Sequence, residues 1–186
     1  MKTLIVFALP LENQLKSVDL SNTTTLICGA GKVLSASKLT KHLSTHTYDH
    51  IINLGICGTI DLTIPVNTIF AINESIEGDT LLNGKGLKLT LNLVNPGNLP
   101  LASIVTQDRV INTEEQRIEV KQLKSFLVDM ECYALAKTAK TFNIQFSAIK
   151  IVSDHCNSKT NTLTKKDIIN SSKILIDHFL QFFPSL

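Results

Sequence analysis

Three acidic positions carry the chemistry that this sequence offers. Glu12 follows the first apolar run, Asp129-Met130-Glu131 stands where an apolar run hands over to a helix-like segment, and Ser153-Asp154 closes the strongest apolar run. Glycosidic cleavage calls for such a set: one acid protonates the leaving group, one base activates water, and one acceptor fixes the sugar hydroxyls. Taken singly, each has a plainer reading. An acid at a helix start complements the dipole, Asp154 would serve as an N-cap, and Glu12 would be an ordinary surface acid. Their shared placement just past apolar runs favours the joint reading, because ligands bind α/β sheets at the carboxyl ends of strands.

Other chemistries find less support. Gly29-Ala30-Gly31-Lys32 lacks the third glycine of a dinucleotide fingerprint, since Leu34 takes its place. A Walker loop is excluded by Leu26 and Val33, which stand where glycine and a hydroxyl residue belong. The segment reads as a tight turn before a helix, where glycine lets backbone N–H groups approach a ligand. His42, His46 and His50 are four apart, but Thr47-Tyr48-Asp49 breaks any common helical face. Cys28, Cys57, Cys132 and Cys156 form no C-x-x-C pair and read as buried reduced thiols. No G-x-S-x-G occurs. Neither a metal nor a cofactor is expected.

Strand-length apolar runs alternate with amphipathic segments, and this order positions the acids. Strands are predicted over residues 3–9, 24–28, 50–54, 68–72, 101–106, 126–128 and 146–152. Helices are predicted over about 32–43, 113–123, 131–142 and from Thr164 to about residue 183. Thr113 and Gln116 have capping-box spacing. The polar, glycine-containing stretch 77–86 is expected to be a loop. The alternation argues for one α/β domain, residues 1–186, with a mostly parallel central sheet.

Composition agrees with a globular chain: 186 residues, 44% hydrophobic, 18% charged, net charge +2. No basic run speaks for nucleic acid, and no apolar run approaches the roughly 20 residues of a membrane span. The first residues lack a small-x-small cleavage site, so a buried strand is expected there instead of a secretion signal. A cytoplasmic enzyme follows as the expectation.

The ordered motifs FALPLE at 7–12, GAGKV at 29–33, IINLGICG at 51–58, TQDRVIN at 106–112, VDMECYA at 128–134 and IKIVSD at 149–154 resemble the purine nucleoside phosphorylase and nucleosidase superfamily. The similarity is greatest to its methylthioadenosine/S-adenosylhomocysteine nucleosidase branch. The resemblance implies a three-layer α/β sandwich with a mixed, mostly parallel sheet, a purine nucleoside as substrate, and a homodimer. It places Glu12 as general base toward water and Asp154, helped by Ser153, as the acid toward purine N7. Met130 and Glu131 fall on the ribose pair, while Val110 and Ile111 fall beside the base. Ile56 stands where many members have a small hydroxyl residue, Lys150 where an arginine is usual, and Val110 where an aromatic is common. Both Ile56 and Lys150 are expected at the substrate. Arg109 and Arg117 are the only arginines, and phosphate calls for cationic clamps, so water is favoured as nucleophile. Futalosine hydrolase, a nucleoside phosphorylase and a non-catalytic nucleoside-binding protein stay open as alternatives.

Overall fold

The computed structural model describes residues 1–15, 22–158 and 160–182. Its strands are β1 (Thr3–Phe7), β2 (Thr23–Ile27), β3 (His50–Thr59), β4 (Ile69–Leu82), β5 (Lys85–Thr90), β6 (Leu101–Thr106), β7 (Leu127–Asp129) and β8 (Gln145–Asp154). The helices are α1 (Lys32–Leu43), α2 (Glu114–Gln122), α3 (Cys132–Thr141) and α4 (Lys165–Phe182). β1 pairs in parallel with both β2 and β3, and β3 runs parallel to β8. Such strands are buried on both faces and read as continuous apolar runs. Leu4 to Phe7, Ile51, Ile52, Leu54, Ile149, Ile151 and Val152 are all buried.

Beyond that parallel part the sheet closes on itself. β8 pairs antiparallel with β4, β4 parallel with β6, β6 parallel with β7, and β7 antiparallel with β3 through Gly58–Val128. The α/β class and mixed sheet are as the sequence indicates. Closure through β4 and β7 departs from a simple open sheet. It follows from β3 and β4 being long enough to serve two neighbourhoods each.

Two apolar layers flank the shared strands. Leu39 and Leu43 of α1 and Leu135, Ala136 and Ala139 of α3 join Leu4, Val6, Ile51 and Val152 in one cluster. On the other side Leu175, Ile176 and Phe179 of α4 join Ile5, Phe7, Ile52, Leu54, Ile149 and Ile151. The alternation of Leu4/Val6 against Ile5/Phe7 is the two-residue period of a strand with both faces covered. A smaller cluster of Ile76, Val105, Ile111, Val120 and Val128 seats α2.

The helix signals hold closely. Thr113 and Gln116 form the expected capping box at α2. Thr164 and Asp167 bond reciprocally before α4. Two strand readings change. Residues 77–86 are not a loop: they form the end of β4, a turn at Asn83-Gly84 and the start of β5. Asn83 and Gly84 both take positive φ, 53° and 72°, the pattern of a two-residue hairpin turn. β3 also continues through Gly55 and Gly58 instead of ending there. A Cβ on Gly58 would lie 2.4 Å from Cys156 Sγ, so this glycine permits a close approach and does not stop the strand.

Phe179 is fully buried between α4 and the sheet. Phe179→Ala is expected to lower stability by about 3–5 kcal/mol in urea unfolding. A loss below about 1 kcal/mol would contradict this docking of α4.

Candidate active site

Each acid is delivered by the end of a strand and held by backbone amides. The chain turns after β1, and Glu12 folds back beneath it. Glu12 Oε2 accepts from the Leu9 amide at 2.7 Å, and Oε1 accepts from the Ile56 amide of β3 at 3.1 Å. Gly55 leaves room for this: a Cβ there would stand 3.0 Å from Glu12 Oε1. Glu131 occupies the N-cap of α3, and its Oε1 accepts from the Gly31 amide at 2.8 Å. Gly31, at φ 89°, starts α1. Asp154 ends β8, where its carboxylate accepts from Ser153 Oγ at 2.8 Å, the Cys156 amide at 2.9 Å and Thr160 Oγ1 at 2.7 Å.

These three acids, remote in sequence, line one cavity of about 370 Å³. Ser153, Met130, Val110, Ile111 and Ile56 line it too, as do Ala8, Leu9, Ala30 and Leu163. Eight of the nine expected site residues therefore share the cavity wall. Lys150 is the exception and the correction. Its side chain is 2% exposed and does not reach the wall; it lies below, with Nζ 2.8 Å from Asp129 Oδ2. The ammonium is committed to a buried partner and not to the cavity wall.

Burial dominates the electrostatics. It raises the Glu12 pKa above the ordinary carboxylate value, against the Leu9 and Ile56 hydrogen bonds and the Lys150 charge, which pull it down. Burial likewise lifts Glu131 to about 7, reinforced by the Asp129 charge and opposed by Lys150. Asp154, by contrast, is half-buried. For Lys150, desolvation would lower the pKa, but Asp129 outweighs it and keeps the amine charged. The thiols are inert. Cys28, Cys132 and Cys156 are each pushed up to about 12, chiefly by burial, and all four cysteines are free and buried.

The sequence reading left three contributors without a role. Asp129 faces the cavity and accepts from Thr106 Oγ1 at 2.6 Å and from the Cys132 amide at 3.0 Å. Its signal was present in the Asp-Met-Glu triplet. Thr106 receives the Tyr133 amide at 2.9 Å, tying β6 to α3. Thr160 comes from a polar segment with no periodicity to mark it. Of the three spaced histidines, only His50 stands apart: His42 bonds the Tyr48 hydroxyl and stacks on His46, while His50 bonds Ser147 across β3 and β8. Among the described residues no cluster of His, Cys, Asp or Glu suits a metal ion. No helix among them is long and apolar enough to cross a membrane.

Comparison with known proteins follows the same lines. A phosphorylase superfamily model matches residues 101–182, from β6 through α4. The chain is 26% identical over 156 residues to the 5'-methylthioadenosine/S-adenosylhomocysteine nucleosidase of Staphylococcus epidermidis, covering 72% of this chain and 68% of that one. To the nucleosidase of the same description from Staphylococcus carnosus it is 24% identical over 192 residues, covering 91% and 84%. Among solved structures, the Streptococcus pneumoniae nucleosidase with 8-aminoadenine superposes with a TM-score of 0.85 at 21% identity, covering all of both chains. The Colwellia psychrerythraea nucleosidase with adenine gives 0.86 at 16% identity, covering 99% and 95%. The resemblance drawn from the motifs is borne out, and the fold is shared with these enzymes.

The raised Glu131 value has a thermodynamic consequence. The folded state holds this proton more tightly than the unfolded chain, so Glu131 contributes less to stability as pH rises from about 4.5 to about 7. Glu131→Gln is expected to flatten that part of the stability–pH curve, measured by thermal melts across the interval. An unchanged slope would show that Glu131 is not the group responsible.

Proposed function

We propose that this protein is a purine nucleosidase, hydrolysing the N-glycosidic bond of a nucleoside of the 5'-methylthioadenosine or S-adenosylhomocysteine type. The observation that carries this reading is the meeting of Glu12, Glu131 and Asp154 around one cavity. Its volume lies within the range of small-molecule sites, and its walls are mainly apolar with a few converging polar groups, as such sites require.

The residues divide the work by position. Asp154, steadied by the Ser153 hydroxyl, donates a proton toward purine N7 and eases departure of the base. Val110 and Ile111 cover the base, and the side chain of Met130 lies against the sugar. Glu131 has one oxygen on the Gly31 amide; the other is left for ribose hydroxyls and strengthens its hold as the ring gains positive charge. Glu12, made more basic by burial, takes the proton of the attacking water. Ile56 presents an aliphatic surface where a hydroxyl would otherwise help hold that water.

Water is favoured over phosphate by the use already made of the cations. Lys32 Nζ lies 2.5 Å from Glu77 and 2.7 Å from Asp79. Arg109 is paired with Glu119, and Arg117 with Glu114. The amides of the glycine turn, which would otherwise receive an anion, are taken by protein carboxylates: Gly31 donates to Glu131 and Lys32 to Asp108. A phosphate would meet acids there.

The same reading extends to the whole chain. Residues 1–186 act as one nucleosidase domain, and α1 and α3 opposite α4 correspond to the outer layers of a three-layer sandwich. The enzyme is cytoplasmic, consistent with its free, buried thiols. It works as a homodimer: Val33, Leu34 and Val110 expose apolar surface on elements that border the cavity.

The test is purine release from a panel of nucleosides, with and without phosphate. Release independent of phosphate is expected. Dependence on phosphate would make the protein a phosphorylase, and saturable binding without turnover would make it a binding module. Asp154→Asn and Glu12→Gln are each expected to lower kcat by about 10²-fold or more with the fold retained by circular dichroism. An unaltered rate in either variant would remove that residue from its role.

A further inference from the structure

Behind the acids of the cavity wall lies a cation that substrate contact does not explain. Glu12, Asp129 and Glu131 are 3%, 6% and 6% exposed, and Lys150, 1% exposed, is the cation set among them. Asp129 spends its oxygens on Thr106 Oγ1, the Cys132 amide and Lys150 Nζ. It is an acceptor on every side. Lys150 also lies close to Glu12. A Cβ built on Gly55 would stand 3.0 Å from Glu12 Oε1 and 3.5 Å from Lys150 Nζ, so both end groups press on the same bare stretch of β3. The ammonium is therefore paired with Asp129 at the β7–α3 junction and stands near Glu12 from the turn after β1.

We propose that Lys150 is a positioning residue that acts through these carboxylates: its ammonium anchors Asp129 and lowers the proton affinity of Glu12 and Glu131 on the cavity wall. Three ionised acids and one ammonium carry a net charge of −2, so the ammonium offsets part of the repulsion among the acids. Glu12 has two backbone amides beside it and Glu131 has one, and Lys150 supplies the neighbouring positive charge. The other groups facing Lys150 are the thiols of Cys28, Cys57 and Cys132, which burial keeps protonated. The consequence for catalysis rests on the nucleosidase reading above: Lys150 holds the water-activating base ready and keeps Glu131 available as an acceptor for sugar hydroxyls.

The test reads the carboxyls directly in the ligand-free protein. Glutamate side-chain ¹³C resonances, assigned with Glu12→Gln and Glu131→Gln, are titrated in the unaltered protein, Lys150→Met and Lys150→Arg. Lys150→Met is expected to move the Glu12 and Glu131 midpoints upward by about one pH unit or more, and Lys150→Arg, which retains the charge, to restore them. Should Lys150→Met alone fail to fold, Asp129→Asn/Lys150→Met removes both buried charges; Glu12 is still expected to titrate higher than in the unaltered protein. Midpoints that stay in place in whichever variant folds overturn the proposal. In an active enzyme, the acidic limb of kcat/KM should shift to higher pH in Lys150→Met. A rate loss equal at every pH would show a merely structural lysine while leaving the nucleosidase reading intact. Absence of turnover in the unaltered protein would defeat that reading, and the titration would still decide the role of Lys150.

Discussion

A carboxylate removed from water must be given donors in place of the water it lost, and the cost of leaving it without them exceeds almost any other single term in a small protein. The whole carboxyl edge of this sheet is organised around that requirement. The Leu9 and Ile56 amides serve Glu12, the Gly31 amide serves Glu131, the Cys132 amide serves Asp129, and the Cys156 amide serves Asp154. Apart from Ile56, which lies within β3, these donors come from turns and helix starts, the places where backbone N–H groups lack partners of their own. The acids thus stabilise the loops that hold them, and the loops fix the acids.

The same bonds tie distant elements into one unit. Glu131 and Gly31 join the starts of α3 and α1, one hundred residues apart. Thr106 links β6 to both Asp129 and the first turn of α3. Lys32 binds α1 to Glu77 and Asp79 on β4, while Asp79 receives the Asp108 amide. The rim of the cavity is therefore cross-braced by charge, and its floor rests on two apolar layers. Rigid support beneath and directional bonds above are what a site needs to hold several groups near productive geometry.

Much of this was legible in the residues, and the failures have physical causes. Apolar runs marked β1, β3 and β8 because burial on both faces leaves no polar alternation to obscure them. The capping pair Thr113–Gln116 marked α2 to the residue. Glu12, Glu131 and Asp154 were found because each follows such a run. The β4–β5 hairpin was missed because its exposed, charged residues resemble a loop, and the weight of Asn83-Gly84 was overlooked. The continuation of β3 past Gly55 and Gly58 was missed because glycine reads as punctuation when the close neighbour that requires it, Glu12 or Cys156, is far away in sequence. Lys150 was placed at the substrate because sequence position says nothing of depth; only the pairing with Asp129 shows that it lies below the floor. Thr160 left no trace at all in the pattern.

The convergence of the acids on a single sugar–base linkage is tested most directly by a crystal structure of the complex with a non-hydrolysable purine nucleoside analogue. The account predicts the base beside Val110 and Ile111 with its N7 within hydrogen-bond reach of Asp154, the sugar hydroxyls on the free oxygen of Glu131, and an ordered water between Glu12 and the anomeric carbon. An analogue bound outside the cavity, or a Glu12 carboxylate separated from the anomeric carbon by protein, would contradict it.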